Sequence, residues 1–146
     1  NARINNRWSV WASHAYQEAK VKSAYTASGT SLAGNEVFST PRYISNLGTD
    51  YQLTPDWRLG LQARAQGDYY IDEQNEQGKY GGFAVLDVSA EYMVSPTLRV
   101  DLQVKNLTDY EYEYVWYDNF FWGGDDQPMF SPAPGRSAYL SLNVKL

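Results

Sequence analysis

Side chains able to do chemistry are sparse in this chain. It has one histidine, His14, and no cysteine. A histidine acting as general base needs a nucleophile within reach and a group to orient it, and no nucleophile elbow or comparable motif is present. Zinc held by a single His would take carboxylates for all its other protein ligands, a rare donor set. Gly123-Gly-Asp-Asp126 brings two carboxylates together. They supply a minority of the roughly six or more oxygens that calcium takes. The same four letters in cyclic-dinucleotide synthases belong to an α/β domain, whereas here they sit among alternating strands. A turn is the reading that remains, and neither catalysis nor a metal or cofactor is expected. What is concentrated is aromatic: between Tyr110 and Phe130 stand Tyr112, Tyr114, Trp116, Tyr117, Phe120, Phe121 and Trp122. Tyr114, Trp116, Tyr117, Phe120, Phe121 and Trp122 are the ligand-binding candidates, because such rings stack on planar groups.

The elements that must hold those rings are strands. In Leu98 to Asp109, LRVDLQVKNLTD, the residues Leu98, Val100, Leu102 and Val104 alternate with Arg99, Asp101, Gln103 and Lys105. Successive strand side chains point to opposite faces, so one face is apolar and the other polar; on a helix the same apolar residues would scatter. Asn106-Leu-Thr-Asp109 then favours a turn through its short polar side chains. Alternation of the same kind predicts strands over Arg7 to Val21, Pro41 to Leu53, Trp57 to Ile71, Tyr80 to Val94 and Ser137 to Leu146. In the first of these Trp11 and His14 fall on the wrong faces. Thr54-Pro-Asp56 and Ser95-Pro-Thr97 are tight turns. Lys22 to Thr40 shows no period and reads as a long, mobile loop, Asp72 to Lys79 as a short polar one, and Asn106 to Gly135 as a long excursion.

At 146 residues, with no composition shift, the chain is treated as one unit. A formal charge of −5 and the lack of a basic run exclude a nucleic-acid partner. No stretch of the roughly 18 apolar residues needed for a spanning helix occurs, so any membrane relationship runs through strands. Thirteen Tyr and five Trp suit surfaces in contact with a bilayer interface or a flat ligand. Asn1-Ala2 ahead of Arg3 reads as an expression-tag scar, with the natural chain beginning further upstream.

Short turns gathered at one end and long loops at the other are an asymmetry of outer-membrane barrels. The polar face, with Arg42, Asp50, Arg58, Arg64, Asp68, Asp87, Glu91, Arg99, Asp101 and Lys105, mixes both signs. This suits a wet lumen or an internal plug, with cross-strand ion pairing as its main purpose. VKNLTDYEYEY followed by FSPAPGRSAYLSLNVKL resembles the C-terminal signature of TonB-dependent outer-membrane receptors. LAGNEVFSTPRYISNLGTDYQL and GDYYID resemble the strands before it, most of all in the siderophore branch. The likeness runs from Trp8 onward.

The resemblance implies a barrel of about 22 strands around a plug. All of residues 1–146 would be the C-terminal part of that barrel, an all-β, antiparallel up-and-down meander of six strands. It implies a ferric siderophore or similar nutrient as ligand of the whole receptor, an outer-membrane location, and TonB and plug contacts made by regions upstream. Alone, the chain would not transport. Leu146 stands where the family usually ends in an aromatic. The excursion would be the last extracellular loop, where aromatics serve the interface girdle or loop packing more often than a ligand. His14 would lie in the lumen or at the interface. The other architecture considered is a soluble β-sandwich or sheet that binds a sugar or other flat ligand through Tyr and Trp. Burial separates the two: Leu59, Leu61, Leu86, Val88, Leu98, Val100, Leu102, Leu140 and Leu142 would face lipid in the first and a second sheet in the other. In water, an open apolar face and two unpaired edges would drive curling, self-association or a need for detergent.

Overall fold

The computed structural model describes residues 1–118 and 125–145. Its main sheet runs β1 (Ala2–Arg3), β2 (Trp8–Tyr16), β3 (Tyr43–Gln52), β4 (Trp57–Gln66), β7 (Phe83–Ser95), β8 (Leu98–Lys105) and β11 (Ser137–Val144), each strand antiparallel to its neighbour. Two hairpins are inserted in the longer connections: β5 (Tyr69–Tyr70) with β6 (Lys79–Tyr80), and β9 (Glu113–Asp118) with β10 (Gln127–Pro132). The all-β meander is therefore the observed fold, with the short connections together at one end.

Register turns the alternation of each strand into continuous rows. Trp8, Tyr51, Leu59, Ala90, Leu102 and Leu140 lie side by side across the sheet, and Val10, Thr49, Leu61, Val88, Val104 and Ala138 form the next row. One residue along, the opposite face carries Ser9, Asp50, Gly60, Ser89, Gln103 and Tyr139. Because the side-chain period is two, a slip of one residue would invert every row. On the polar face Trp11 lies over Gly48, where an added Cβ would overlap the indole. The out-of-phase Trp11 is thus matched by a residue with no side chain.

Among the described residues nothing covers the apolar face. Leu61 is 43% exposed, Leu102 44%, Leu47 58% and Leu140 70%. The second sheet that a soluble sandwich requires is absent among the described residues. The buried apolar side chains that are described, Leu32, Tyr69, Ile71, Val85 and Val115, lie instead at the long-loop end. Tyr69, Ile71 and Val115 form one cluster, with Tyr80 and Tyr117 packed against it.

Strand ends differ from the expected ones. The first main strand stops at Tyr16, not Val21, and the chain turns where the Gln17 amide donates to the Arg42 carbonyl at 2.8 Å. β4 stops at Gln66, not Ile71. Tyr69 and Ile71 keep the parity of the apolar face, but the chain leaves the sheet and buries both under the β9–β10 hairpin. The turn that returns it is built on Asp72, whose carboxylate accepts the Glu76 and Gln77 amides at 2.9 and 3.1 Å. β7 accordingly starts at Phe83, not Tyr80. The segment from 22 to 40 is not an unstructured loop: Val37 donates to Ala19 at 3.0 Å, Val21 to Asn35 at 2.9 Å and Leu32 to Ala24 at 2.9 Å, folding it back on itself.

Candidate ligand-binding site

The loops are assembled on the strand ends by a few polar side chains. At the end of β8, Asn106 and Asp109 adopt φ of 51° and 54°, a region that Asn and Asp tolerate better than most residues. The Asn106 amide donates to Asp87 Oδ1 at 2.8 Å, and its side chain closes a ring with Tyr110 through bonds of 2.9 and 3.0 Å. Asp109 Oδ1 accepts the Arg136 amide at 2.7 Å, so both ends of the long excursion are pinned together. Asp87 is buried, and Arg64 Nε approaches its other oxygen at 3.2 Å. That pairing is what makes a buried carboxylate tolerable.

Above this base stands an aromatic shelf. Phe83, on the polar-face parity of β7, meets Tyr112 with centroids 4.5 Å apart, and Tyr114 meets Tyr112 edge-on at 6.1 Å. Tyr110 lies 6.5 Å from Tyr112. The Tyr112 phenol titrates under the influence of Tyr114 and Arg64. Burial, reinforced by Tyr114, pushes its pKa up against the opposing pull of Arg64.

Strand alternation in β9 divides the sequence candidates. Tyr114 and Trp116 share one face and are 47% and 37% exposed. Val115 and Tyr117 share the other, where Tyr117 packs on the buried cluster. The Tyr69 hydroxyl donates to the Val115 carbonyl at 3.1 Å and lies 3.4 Å from its amide nitrogen, fixing the hairpin to β5. Phe120, Phe121 and Trp122 lie outside the described residues, as do Gly123, Gly124 and Leu146. Phe83 was not among the sequence candidates, and Arg64 was expected mainly as an ion-pairing residue of the polar face, as its bond to Asp87 shows. The signal that marks Phe83 and Val85 is that both are apolar at polar-face positions of β7.

A cleft of about 540 Å³ lies behind the hairpin, with Phe38, Ile71, Asp72, Glu73, Tyr117 and Asp125 among its lining. Its wall is tied to the folded-back loop through Glu36. Arg42 reaches Glu36 at 2.5 Å and Lys79 at 3.3 Å, and Asn75 exchanges two hydrogen bonds with the Glu36 backbone. Burial pushes the Glu36 carboxyl up, but the bonds from Arg42 and Lys79 outweigh it and hold the pKa below the usual value. Among the described residues no three His, Cys, Asp or Glu converge as a metal site would need. His14 lies on the apolar face near its loop end, 2.8 Å from Ser45, in the row adjoining the Tyr16 and Tyr43 pair.

The family profile described as TonB dependent receptor-like, beta-barrel matches residues 1–107. The chain belongs to this family. The probable TonB-dependent siderophore receptor PiuA of Acinetobacter baumannii is 25% identical over 152 aligned residues, which cover 99% of this chain and 19% of that protein. Among crystal structures, the siderophore receptor PiuA from Acinetobacter baumannii matches with a TM-score of 0.78 at 22% identity, over 99% of this chain and 20% of that one. The ferric citrate transporter FecA in its unliganded form gives 0.75 at 23%, over 94% and 21%. The ferric yersiniabactin uptake receptor FyuA from Yersinia pestis gives 0.76 at 20%, over 97% and 21%. The chain spans about a fifth of the length of these relatives.

Members of this receptor family are outer-membrane proteins built on a β-barrel. The stacked Trp57 and Tyr92 lie at the short-turn end of the apolar face. Tyr43, whose carbonyl accepts the Gly67 amide, lies at the other. About ten residues of strand separate them; at about 3.3 Å each and a tilt of about 40° they span roughly 25 Å, the height of a barrel's apolar band.

Proposed function

We propose that this chain is the C-terminal part of the barrel of an outer-membrane receptor that takes up a ferric siderophore or similar nutrient. The observation that carries the reading is the apolar face: a band bounded by Trp57 and Tyr92 at one end and Tyr43 at the other, uncovered by any of the described residues. The sheet is open at both edges, so transport belongs to the whole receptor, with its plug and TonB contacts contributed from outside these residues. Asn1–Arg3 fall within the family match, and Ala2–Arg3 pair with Val10 and Ser9, which supports counting them as receptor sequence. Tyr114 and Trp116 are the ligand candidates best supported by their exposure, whereas Tyr117 acts as a support for the hairpin.

The test uses the full-length receptor in a bacterium lacking its own copy. Outer-membrane fractionation should recover it as a heat-modifiable band. Cells starved of iron should gain uptake of radiolabelled iron from one class of siderophore, and lose it when TonB is deleted. Recovery in the soluble fraction, or iron uptake indifferent to TonB, would refute the proposal.

A further inference from the structure

We infer that the polar face carries an anion site at its short-turn end, where Arg3, Arg7 and Arg58 wall a pocket for a small oxyanion that still holds an O–H. Hydrogen phosphate is the simplest such ion. The site goes beyond the uptake reading and does not depend on which nutrient the receptor carries.

The arginines of this chain divide into two groups. Arg42, Arg64, Arg99 and Arg136 each face a carboxylate, at 2.5, 3.2, 2.9 and 3.8 Å. The others, Arg3, Arg7 and Arg58, have no carboxylate partner among the described residues, and all three line one pocket of about 250 Å³. Register puts them together. Arg3 pairs with Ser9 and Ser9 with Asp50, while in the next polar row the Gln52 amide donates to the Arg7 carbonyl at 2.7 Å and Gln52 pairs with Arg58. Arg7 and Arg58 thus flank Gln52, about 10 Å apart across two strand spacings. The turn below is fixed by the Asn5 side chain, which accepts the Arg7 amide at 2.8 Å, and by the Ile4 amide, which donates to the Trp8 carbonyl at 2.9 Å. Gln52 is held in turn by donating to the Thr54 carbonyl at 2.8 Å.

Like charges gathered on one face repel, and an oxyanion between them reverses the sign, because each guanidinium offers a planar fork of donors that matches its oxygens. Size and charge narrow the class. The pocket is smaller than the roughly 300–1,000 Å³ of sites for drug-sized ligands, so it takes a small ion and not a whole iron chelate. Asp50 is the only carboxylate in the lining, which leaves two positive charges to match a dianion. Against a fully deprotonated anion Asp50 only repels. Toward an O–H it is an acceptor. Hydrogen phosphate brings two charges and one O–H, whereas sulfate has nearly the same size, shape and charge and no proton to donate. A hydrogen bond to a charged group made by one anion and not the other separates them by about 10- to 100-fold.

The experiment measures binding of inorganic phosphate and of sulfate by the full-length receptor in detergent, by titration calorimetry at mildly alkaline pH. The wild type should bind phosphate more tightly than sulfate by about tenfold or more. Arg7→Gln and Arg58→Gln should each weaken phosphate by about tenfold or more, and Arg58→Lys, which keeps the charge but not the fork, should recover only part of that loss. Asp50→Asn should bring the two anions to within about twofold of each other, because the amide is a weaker acceptor and no longer repels sulfate. Each variant is checked for the heat-modifiable band of the folded wild type, and the comparison of the two anions needs no variant at all. Equal binding of phosphate and sulfate by the wild type overturns the inference. So does the absence of phosphate binding, which would show the pocket filled or closed by another part of the receptor, and so does phosphate binding that survives both Arg7→Gln and Arg58→Gln. None of these results touches the uptake reading, which is tested separately by iron transport.

Discussion

Replacing Leu61 with Arg tests the assignment of the sheet's two faces most directly. Leu61 sits in the row of Val10, Thr49, Val88, Val104 and Ala138, between the Trp57 and Tyr43 ends of the band, and is 43% exposed. If that exposure is to hydrocarbon near the bilayer midplane, an Arg there costs about 2–4 kcal/mol, against about 0–1 near the interfaces. In folding equilibrium this is about 30- to 700-fold. Were the face in water, the same substitution would fall within about 0.5 kcal/mol, as surface changes do. Leu61→Ala supplies the baseline for lost packing. Gln62→Arg, one residue along on the polar face, should stay within about 0.5 kcal/mol, and Tyr43→Arg, at the interface row, should stay within about 1 kcal/mol. The assay is urea titration of the full-length receptor folded into lipid vesicles, followed by Trp fluorescence and by heat-modifiable mobility on gels. Equal effects of Leu61→Arg and Gln62→Arg, or a larger cost at Tyr43 than at Leu61, would refute the reasoning.

Three further outcomes are expected. Gly48→Ala should destabilise by about 1–3 kcal/mol, because the new methyl overlaps the Trp11 indole, and adding Trp11→Ala should recover most of that loss; an undiminished cost in the double variant would place the strain elsewhere. Tyr69→Phe removes a buried hydroxyl that serves Val115, at about 1–3 kcal/mol, and hydrogen exchange should speed up in β9 and β10 while β3 and β4 are unchanged. For Glu36, the folded-state pKa lies below the ordinary carboxyl value of about 4.5. Its contribution is therefore present above about pH 4.5 and is lost as pH falls through the lower, folded value. Protease cleavage within residues 22–35 should rise over that interval in the wild type and be high throughout in Glu36→Gln; a variant that still responds to pH would assign the change to another group.

How much of this was legible beforehand depends on how local its cause is. A period of two is a property of neighbours in sequence, so the six main strands, their faces and the Pro-centred turns are readable from alternation. Where strands stop is decided at a distance. Tyr69 and Ile71 continue the parity of β4 perfectly well, yet the Tyr69 hydroxyl finds its partner at Val115, 46 residues on. The same holds for Tyr117, which has the composition of a ligand residue and the parity of a support, and that parity is visible only once β9 is paired with β10. The informative residues are those that break the pattern: Trp11, Phe83 and Val85 are apolar at polar-face positions, and each marks a contact the sheet makes with something other than solvent.

Those contacts also bear on how the loops are held. Among the described residues the main sheet has no covering layer, so its apolar face draws its stabilisation from whatever lies against it. The cap at the loop end is different. Tyr69, Ile71 and Val115 are buried against one another, Glu36 binds Arg42 and Lys79, and Asn106 and Asp109 tie the aromatic excursion to Asp87 and Arg136. A cap knit by side chains from three connections resists independent loop motion. If Tyr114 and Trp116 bind ligand as proposed, their exposed face is thereby set beforehand, and less of the binding free energy goes into ordering it.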